Sequence, residues 1–187
     1  MVRTLLHCAR VRSAMSSDMP PLPMPDSFEP NDDTKRAYRD ALGRFVTGIA
    51  VITCDSDNGP LGITANSFSS VSLDPPLVLW SPAKASKRYE AFVNARNFAI
   101  HIMSADQAQI CGGFAHDGHA FDGYNWHACP QGVPLIGHCL SRFECTQFAV
   151  HDAGDHSIIV GRVIRVSTQD ADPLMFYSGK YRSFNEN

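Results

Sequence analysis

Gly48-Ile-Ala-Val-Ile-Thr-Cys54, then Asp55-Ser-Asp-Asn-Gly-Pro60, then Leu61-Gly-Ile-Thr-Ala-Asn-Ser-Phe68 is the stretch on which the reading of the fold turns. The first run is β-branched and apolar at successive positions, which reads as a strand covered on both faces. The second is dense in residues that turn a chain. The third alternates, with Leu61, Ile63 and Ala65 on one side and Gly62, Thr64 and Asn66 on the other. Strand, turn and strand predict a hairpin.

Working outward, Pro76-Leu-Val-Leu-Trp80 and residues 98–103 read as further strands. Residues 140–150 alternate in polarity, 157–166 form a long β-branched run, and 174–177 read as a short last strand. Helices are fewer. Tyr38, Ala41, Leu42 and Phe45 fall at helical spacing, so residues 33–45 predict an amphipathic helix entered through Asp33 and Thr34. Ser86 caps a second helix carrying Tyr89, Phe92 and Val93 on one side. Ser104-Ala-Asp-Gln107 has the capping-box pattern and opens a third, with Ile110 and Phe114 a turn apart. Residues 116–137, rich in Gly, His, Asp and aromatics, read as an excursion with little regular structure. The expectation is a mainly β protein with a few short peripheral helices, in a closed or nearly closed antiparallel β-barrel. A doubly wound sheet needs helices interleaved with parallel strands, and there are too few.

The chain has 187 residues, 44% hydrophobic and 19% charged, with a net charge of −3. That is the composition of a globular domain, and it gives no basic field for nucleic acid or anionic membrane. No apolar run is long enough to span a bilayer. The domain is expected at 31–187. Residues 1–30 are expected to be a disordered N-terminal extension: they carry Arg3, Arg10 and Arg12 with no acid before Asp18, then five prolines between Pro20 and Pro30. The six cysteines contain no Cys-x-x-Cys pair, so neither a structural zinc site nor a disulfide framework is indicated. Cys54, Cys139 and Cys145 lie in strand-like runs, where a free thiol acts as a small hydrophobe. A reducing cytoplasm suits such a chain.

Three places can carry chemistry. Thr64, Asn66 and Ser67 crowd donors and acceptors at the end of an apolar strand, which suits the edge of a planar heterocycle. Such residues are also commonplace where a strand turns. Ser81, Lys84, Ser86, Lys87 and Arg88 gather where a strand leads into a helix. Cations oppose the dipole at a helix start, so their presence points to an anion such as a phosphate, with a solvated basic turn as the alternative. Ala153-Gly-Asp-His156 can orient an imidazole at the mouth of a cleft, or present a surface histidine. His116-Asp-Gly-His119 resembles a metal pair, but no further ligands stand at useful spacing, and no metal is expected. Nucleophile-elbow, Walker and dinucleotide-fingerprint motifs are missing.

In order along the chain, Phe45-Val-Thr-Gly-Ile-Ala-Val-Ile-Thr53, the run from Gly62 to Val78, Phe98-Ala-Ile-His-Ile102, Phe121-Asp-Gly123, Pro134-Leu-Ile136, Gly154-Asp-His156, Gly161-Arg-Val163, Pro173-Leu174 and Gly179-Lys-Tyr181 resemble the flavin reductase-like, FMN-binding split-barrel family. The likeness covers roughly residues 33–184. It departs from the family pattern at Gly112-Gly113 and at Asp122. The resemblance implies a split β-barrel of Greek-key type that forms a homodimer, with FMN (or FAD) at the subunit boundary. It implies Thr64, Asn66 and Ser67 on the isoalloxazine and ribityl chain, and Ser81, Lys84, Ser86, Lys87 and Arg88 on the phosphate. His156 would stand beside the nicotinamide of NADH or NADPH. The activity implied is flavin reduction by NAD(P)H, with reduced flavin diffusing to a partner monooxygenase. A split-barrel oxidase and a non-catalytic flavin-binding module are the alternatives.

Overall fold

A computed structural model describes residues 26–183. The chain divides into two units, residues 1–38 and 39–187. The described part of the first is a turn and the first residues of a helix: the Asn31 side-chain oxygen accepts from the backbone N–H of Asp33 and Thr34, and Thr34 Oγ1 donates to the Glu29 carbonyl at 2.8 Å. That helix is α1 (Lys35–Leu42). It is shorter at both ends than the apolar spacing predicts, and it starts through Asn31 and Thr34 instead of Asp33.

The rest is antiparallel sheet: β1 (Thr47–Gly48), β2 (Ala50–Ser56), β3 (Gly59–Ala65), β4 (Ser69–Leu73), β5 (Pro76–Trp80), β6 (Asn97–Ile102), β7 (Trp126–Ala128), β8 (Pro134–Ile136), β9 (Ser141–Ala153), β10 (His156–Thr168), β11 (Met175–Tyr177) and β12 (Lys180–Arg182). Helices α2 (Tyr89–Asn94) and α3 (Ala108–His116) lie between β5 and β7, α3 entered by a 3-10 turn at Ala105–Gln107. The mainly β class with short helices is as expected. Two strands went unpredicted inside the supposed excursion, where β7 pairs with β8. Cys139 corrects another expectation, since it is buried in a loop and not in a strand.

Seven strands form one sheet in the order β3-β2-β6-β9-β10-β5-β4. The predicted hairpin is β2–β3, in register from Ala50 opposite Ala65 to Ser56 opposite Gly59. The two edge strands, β3 and β4, are consecutive in the chain. Laid flat, six strand spacings of about 4.8 Å would hold them roughly 29 Å apart. The link from Ala65 to Ser69 reaches at most about 14 Å. The sheet is therefore rolled, and residues 66–68 bridge its open seam.

Strand β2 shows why the first run is apolar on both faces. Ala50, Ile52 and Cys54 enter one cluster with Trp80, Phe92, Phe98, Ile100 and Ile159. Ile49 and Val51 enter another with Met103, Phe114 and Ile136. Two glycines allow close approaches. A Cβ on Gly62 would stand 2.5 Å from the Phe114 ring, and one on Gly161 would stand 2.6 Å from Phe98. Burial pushes the thiols of Cys54, Cys111 and Cys145 up to about 12, so they pack as hydrophobes. Buried His101 on β6 has Nδ1 2.9 Å from the Val51 carbonyl, while its Nε2 accepts from the Ile136 N–H at 3.0 Å. No helix among the described residues is long and apolar enough to cross a membrane.

Candidate functional site

The seam segment places exposed Asn66 and half-buried Ser67 where the sheet edges meet. Ser67 Oγ accepts from the Ser81 N–H at 2.9 Å, fixing the seam to the end of β5. From Ser81 the chain runs along the start of β10. The Ser157 N–H donates to the Pro82 carbonyl at 3.1 Å, Ala83 bridges to His156, and the Lys84 N–H donates to the Asp155 carbonyl at 2.9 Å. Ser67, Ser81, Lys84 and His156 are thus brought to one rim.

His156 follows the tight turn of the β9–β10 hairpin, in which Ala153 pairs with His156 and Gly154 takes φ +66°. A positive φ at the first of two turn residues is the glycine position of a II′ hairpin, which matches the twist of the strands. His156 Nδ1 lies 2.7 Å from Asp155 Oδ1. Its Nε2 has no partner among the described residues. Tyr89 and Ser157, which the sequence did not flag, share a hydroxyl–hydroxyl bond of 2.6 Å just below.

The predicted phosphate group separates on inspection. Lys84 Nζ binds the Asp152 carboxylate and the Gly154 carbonyl, the latter at 2.6 Å. The Asp152 hydrogen bond raises its pKa, so it stays charged. Arg88 turns the other way. Its guanidinium donates to the carbonyls of Gly62 at 2.9 Å, Phe114 at 2.6 Å and Ala115 at 3.2 Å. Burial lowers its pKa, yet an arginine holding three carbonyls remains a cation. It satisfies the last carbonyls of α3, where positive charge is favourable. Thr64 assists, its hydroxyl donating to the Cys111 carbonyl at 2.7 Å. Thr64 and Arg88 together brace α3 against β3.

The helix after this segment corrects a further expectation. Arg88, not Ser86, precedes α2, and no side chain caps it. Ser86 Oγ instead accepts from the Arg88 N–H at 3.2 Å. At six residues α2 is too short to carry much macrodipole, so an anion here must be held by side chains. Ser86 and exposed Lys87 are placed for it, and the Lys87 ammonium has no partner among the described residues. Both, with Arg88, open onto a cleft of about 810 Å³ walled by the β2–β3 turn, α2 and residues 116–119. Thr64, Asn66, Ser67, Ser81, Lys84 and His156 lie outside its wall. His116 and His119 lie in it, and among the described residues no three potential metal ligands gather.

The flavin reductase like domain matches residues 42–185. The chain belongs to that family. It is 51% identical over 164 residues to FMN reductase (NADH) SmoA of Agrobacterium fabrum, covering 88% of this chain and 94% of that protein. It is 36% identical to the flavin-dependent monooxygenase reductase subunit HsaB of Rhodococcus jostii, over 78% of this chain and 76% of that one. Among solved structures it resembles the NADH:FAD oxidoreductase SgcE6 of Streptomyces globisporus in complex with NAD and FAD fragments. The TM-score is 0.78 and the identity 32%, over 84% of this chain and 97% of that one.

A flavin reductase like domain needs donors for a ring edge and for a phosphate, and uncommitted ones stand at the seam and on the wall of the cleft. The Asn66 carboxamide and the Lys87 ammonium make no hydrogen bond among the described residues, and neither is buried. An uncommitted carboxamide and an uncommitted cation suit the two ends of a flavin, which presents carbonyl and nitrogen acceptors along one edge and a phosphate at the end of its ribityl chain.

Proposed function

We infer that this chain is an NADH-dependent flavin reductase that reduces FMN, with FAD as a further flavin, and supplies a partner monooxygenase with reduced flavin. The observation that carries this is the meeting of the seam residues with the His156 turn, in a chain of this family. When bound, the flavin supplies the hydride acceptor and reduced nicotinamide the hydride. The protein's part is placement. Asn66 and Ser67, with Thr64 behind them, hold the ring edge and ribityl chain. Ser81, Ser86 and Lys87 serve the phosphate, while Arg88 fixes the floor beneath them through its three carbonyls. His156, with one imidazole nitrogen uncommitted, orients the nicotinamide.

The working unit is a homodimer of split barrels. Supporting this, Val71 and Leu73 on β4 and Phe148 and Val150 on β9 leave large apolar side chains exposed, Leu73 at 84%. Sedimentation across a concentration series should give twice the chain mass, and a monomer throughout would refute it. The domain occupies 31–187, with 1–30 as an extension dispensable for flavin binding. The enzyme works in the cytoplasm, where its thiols stay reduced.

The test is oxidation of NADH and NADPH by the purified protein with FMN, FAD and riboflavin. NADH oxidation dependent on added flavin is expected, with FMN preferred. Flavin binding without NADH oxidation would leave a binding module and overturn the assignment.

A further inference from the structure

We propose that Lys84 is a positioning residue for hydride transfer, locking the hairpin that presents His156 to the segment that follows the flavin-side strand. The proposal rests on the reading of His156 as the nicotinamide-side residue. One residue holds three groups of the turn: the Asp152 carboxylate and Gly154 carbonyl through Nζ, and the Asp155 carbonyl through its own N–H. The central carbonyls of a two-residue turn have no partner in their own ladder. Lys84 supplies partners to both, directly before His156. The Pro82–Ser157 and Tyr89–Ser157 bonds extend the tie below it.

A lock at this point matters because the arms are 13 residues each and the tip is exposed on its β9 side, at Val150, His151 and Asp152, and at the turn residues Gly154 and Asp155, whereas β10 is buried at alternate positions from Ser157 to Gly161. Turn tips of this kind open locally at low free energy unless something outside the hairpin holds them. Hydride transfer demands rings aligned to within a fraction of an ångström, and a misplacement of about 1 Å can cost a hundredfold. An exposed lysine–carboxylate pair adds little to global stability. Its loss therefore appears in NADH kinetics and not in melting. With its charge already met by Asp152, Lys84 is also a poor candidate for gripping a phosphate.

The experiment compares Lys84→Met, Lys84→Arg, Asp152→Asn, the Lys84→Met/Asp152→Asn double variant and His156→Ala. Each is assayed for NADH kcat and KM at saturating FMN, and for FMN and riboflavin affinity by fluorescence titration. Lys84→Met should lower kcat/KM for NADH about tenfold, the size of a partial positioning loss. Affinities for FMN and riboflavin should change equally, and by less than about twofold, because no phosphate contact is lost. Lys84→Arg should restore most of the rate, since it can still bridge carboxylate and carbonyl. The double variant should be no worse than Lys84→Met alone, as expected for residues acting as one unit. Weaker FMN binding with riboflavin binding unchanged would make Lys84 a phosphate ligand and overturn the proposal. Unchanged NADH kinetics in Lys84→Met alongside a slowed His156→Ala would overturn it while sparing the His156 reading. Unchanged kinetics in His156→Ala would overturn both.

Discussion

His101 and His156 belong to the same rolled sheet, opposite the two ends of β9 at Arg142 and Ala153, and could hardly be treated more differently. His101 is wholly buried on β6, with both ring nitrogens engaged by backbone groups of β2 and β8. His156 is half-exposed at a hairpin tip, with one nitrogen against Asp155 and the other uncommitted. The first holds strands together and has no capacity left for a ligand. The second contributes little to the sheet and is available to one. Commitment of polar groups, more than residue type, separates scaffold from site here.

The comparison breaks most sharply at His101. His101→Leu would strand the Val51 carbonyl and the Ile136 N–H in the core, at a cost of about 2–5 kcal/mol for the pair. A fall in melting temperature with normal flavin affinity in the fraction that remains folded is the expected outcome. Burial, then the charge of Arg142, pushes the His101 pKa down to about 3, against the favourable bond to Val51. The unfolded chain therefore binds more protons than the folded one between about pH 3 and 6.5. Stability from the neutral ring is complete above 6.5 and falls with acid, by up to about 1.4 kcal/mol per pH unit. Denaturant titrations from pH 7 to 4 should show that slope in the wild type and a shallower one in His101→Leu. Equal slopes would mean that another group dominates acid sensitivity.

His156→Ala should do the reverse. We expect kcat/KM for NADH to fall around a hundredfold by lost positioning, with FMN affinity and melting temperature nearly unchanged. Stopped-flow reduction beside a flavin titration separates the cases. Collapsed FMN affinity with normal reduction of the bound fraction would move His156 to the flavin side of the rim.

How far this division was legible in the sequence depended on which forces left a pattern. The β2–β3 hairpin was readable because burial on both faces of β2 demands an unbroken apolar run. Strand β4, Ser69-Ser-Val-Ser-Leu73, was missed because it is exposed almost throughout and carries no core signal. Strands β7 and β8 are three residues each, too short for any period to show. Cys139 misled because it is buried without being in a strand, just after His138 turns the chain at φ +60°. At the site, the resemblance supplied residues but not their commitments. Nothing local announces that Lys84 meets Asp152, 68 positions on, or that Thr64 and Arg88 hydrogen-bond to carbonyls of α3.

The two helix starts offer a finer version of the same contrast, and here the effects are smaller. At the start leading to α3, Ser104 and Gln107 complete the predicted capping box, and Gln107 Nε2 also donates to the Gly137 carbonyl at 2.9 Å. Ser104→Ala should cost about 1 kcal/mol of stability, the usual worth of such a cap, and leave NADH kinetics alone. A kinetic defect without a stability loss would contradict its assignment to the scaffold.

The smallest effect belongs to Lys87, at the uncapped start of α2. Its ammonium is exposed and has no partner among the described residues, so removing it breaks nothing in the fold, and Lys87→Ala should melt with the wild type. If it meets the flavin phosphate, FMN affinity should fall about three- to tenfold, since a solvent-exposed charge contact is worth only around 1 kcal/mol. Riboflavin, which lacks the phosphate, should bind the variant and the wild type alike. The difference should also fade as salt rises from about 0.05 to 0.5 M, because exposed charges are screened over that range. A parallel loss for both flavins would place Lys87 on the ring or the protein, not the phosphate. No loss for either would leave Ser81 and Ser86 to hold the phosphate with neutral donors.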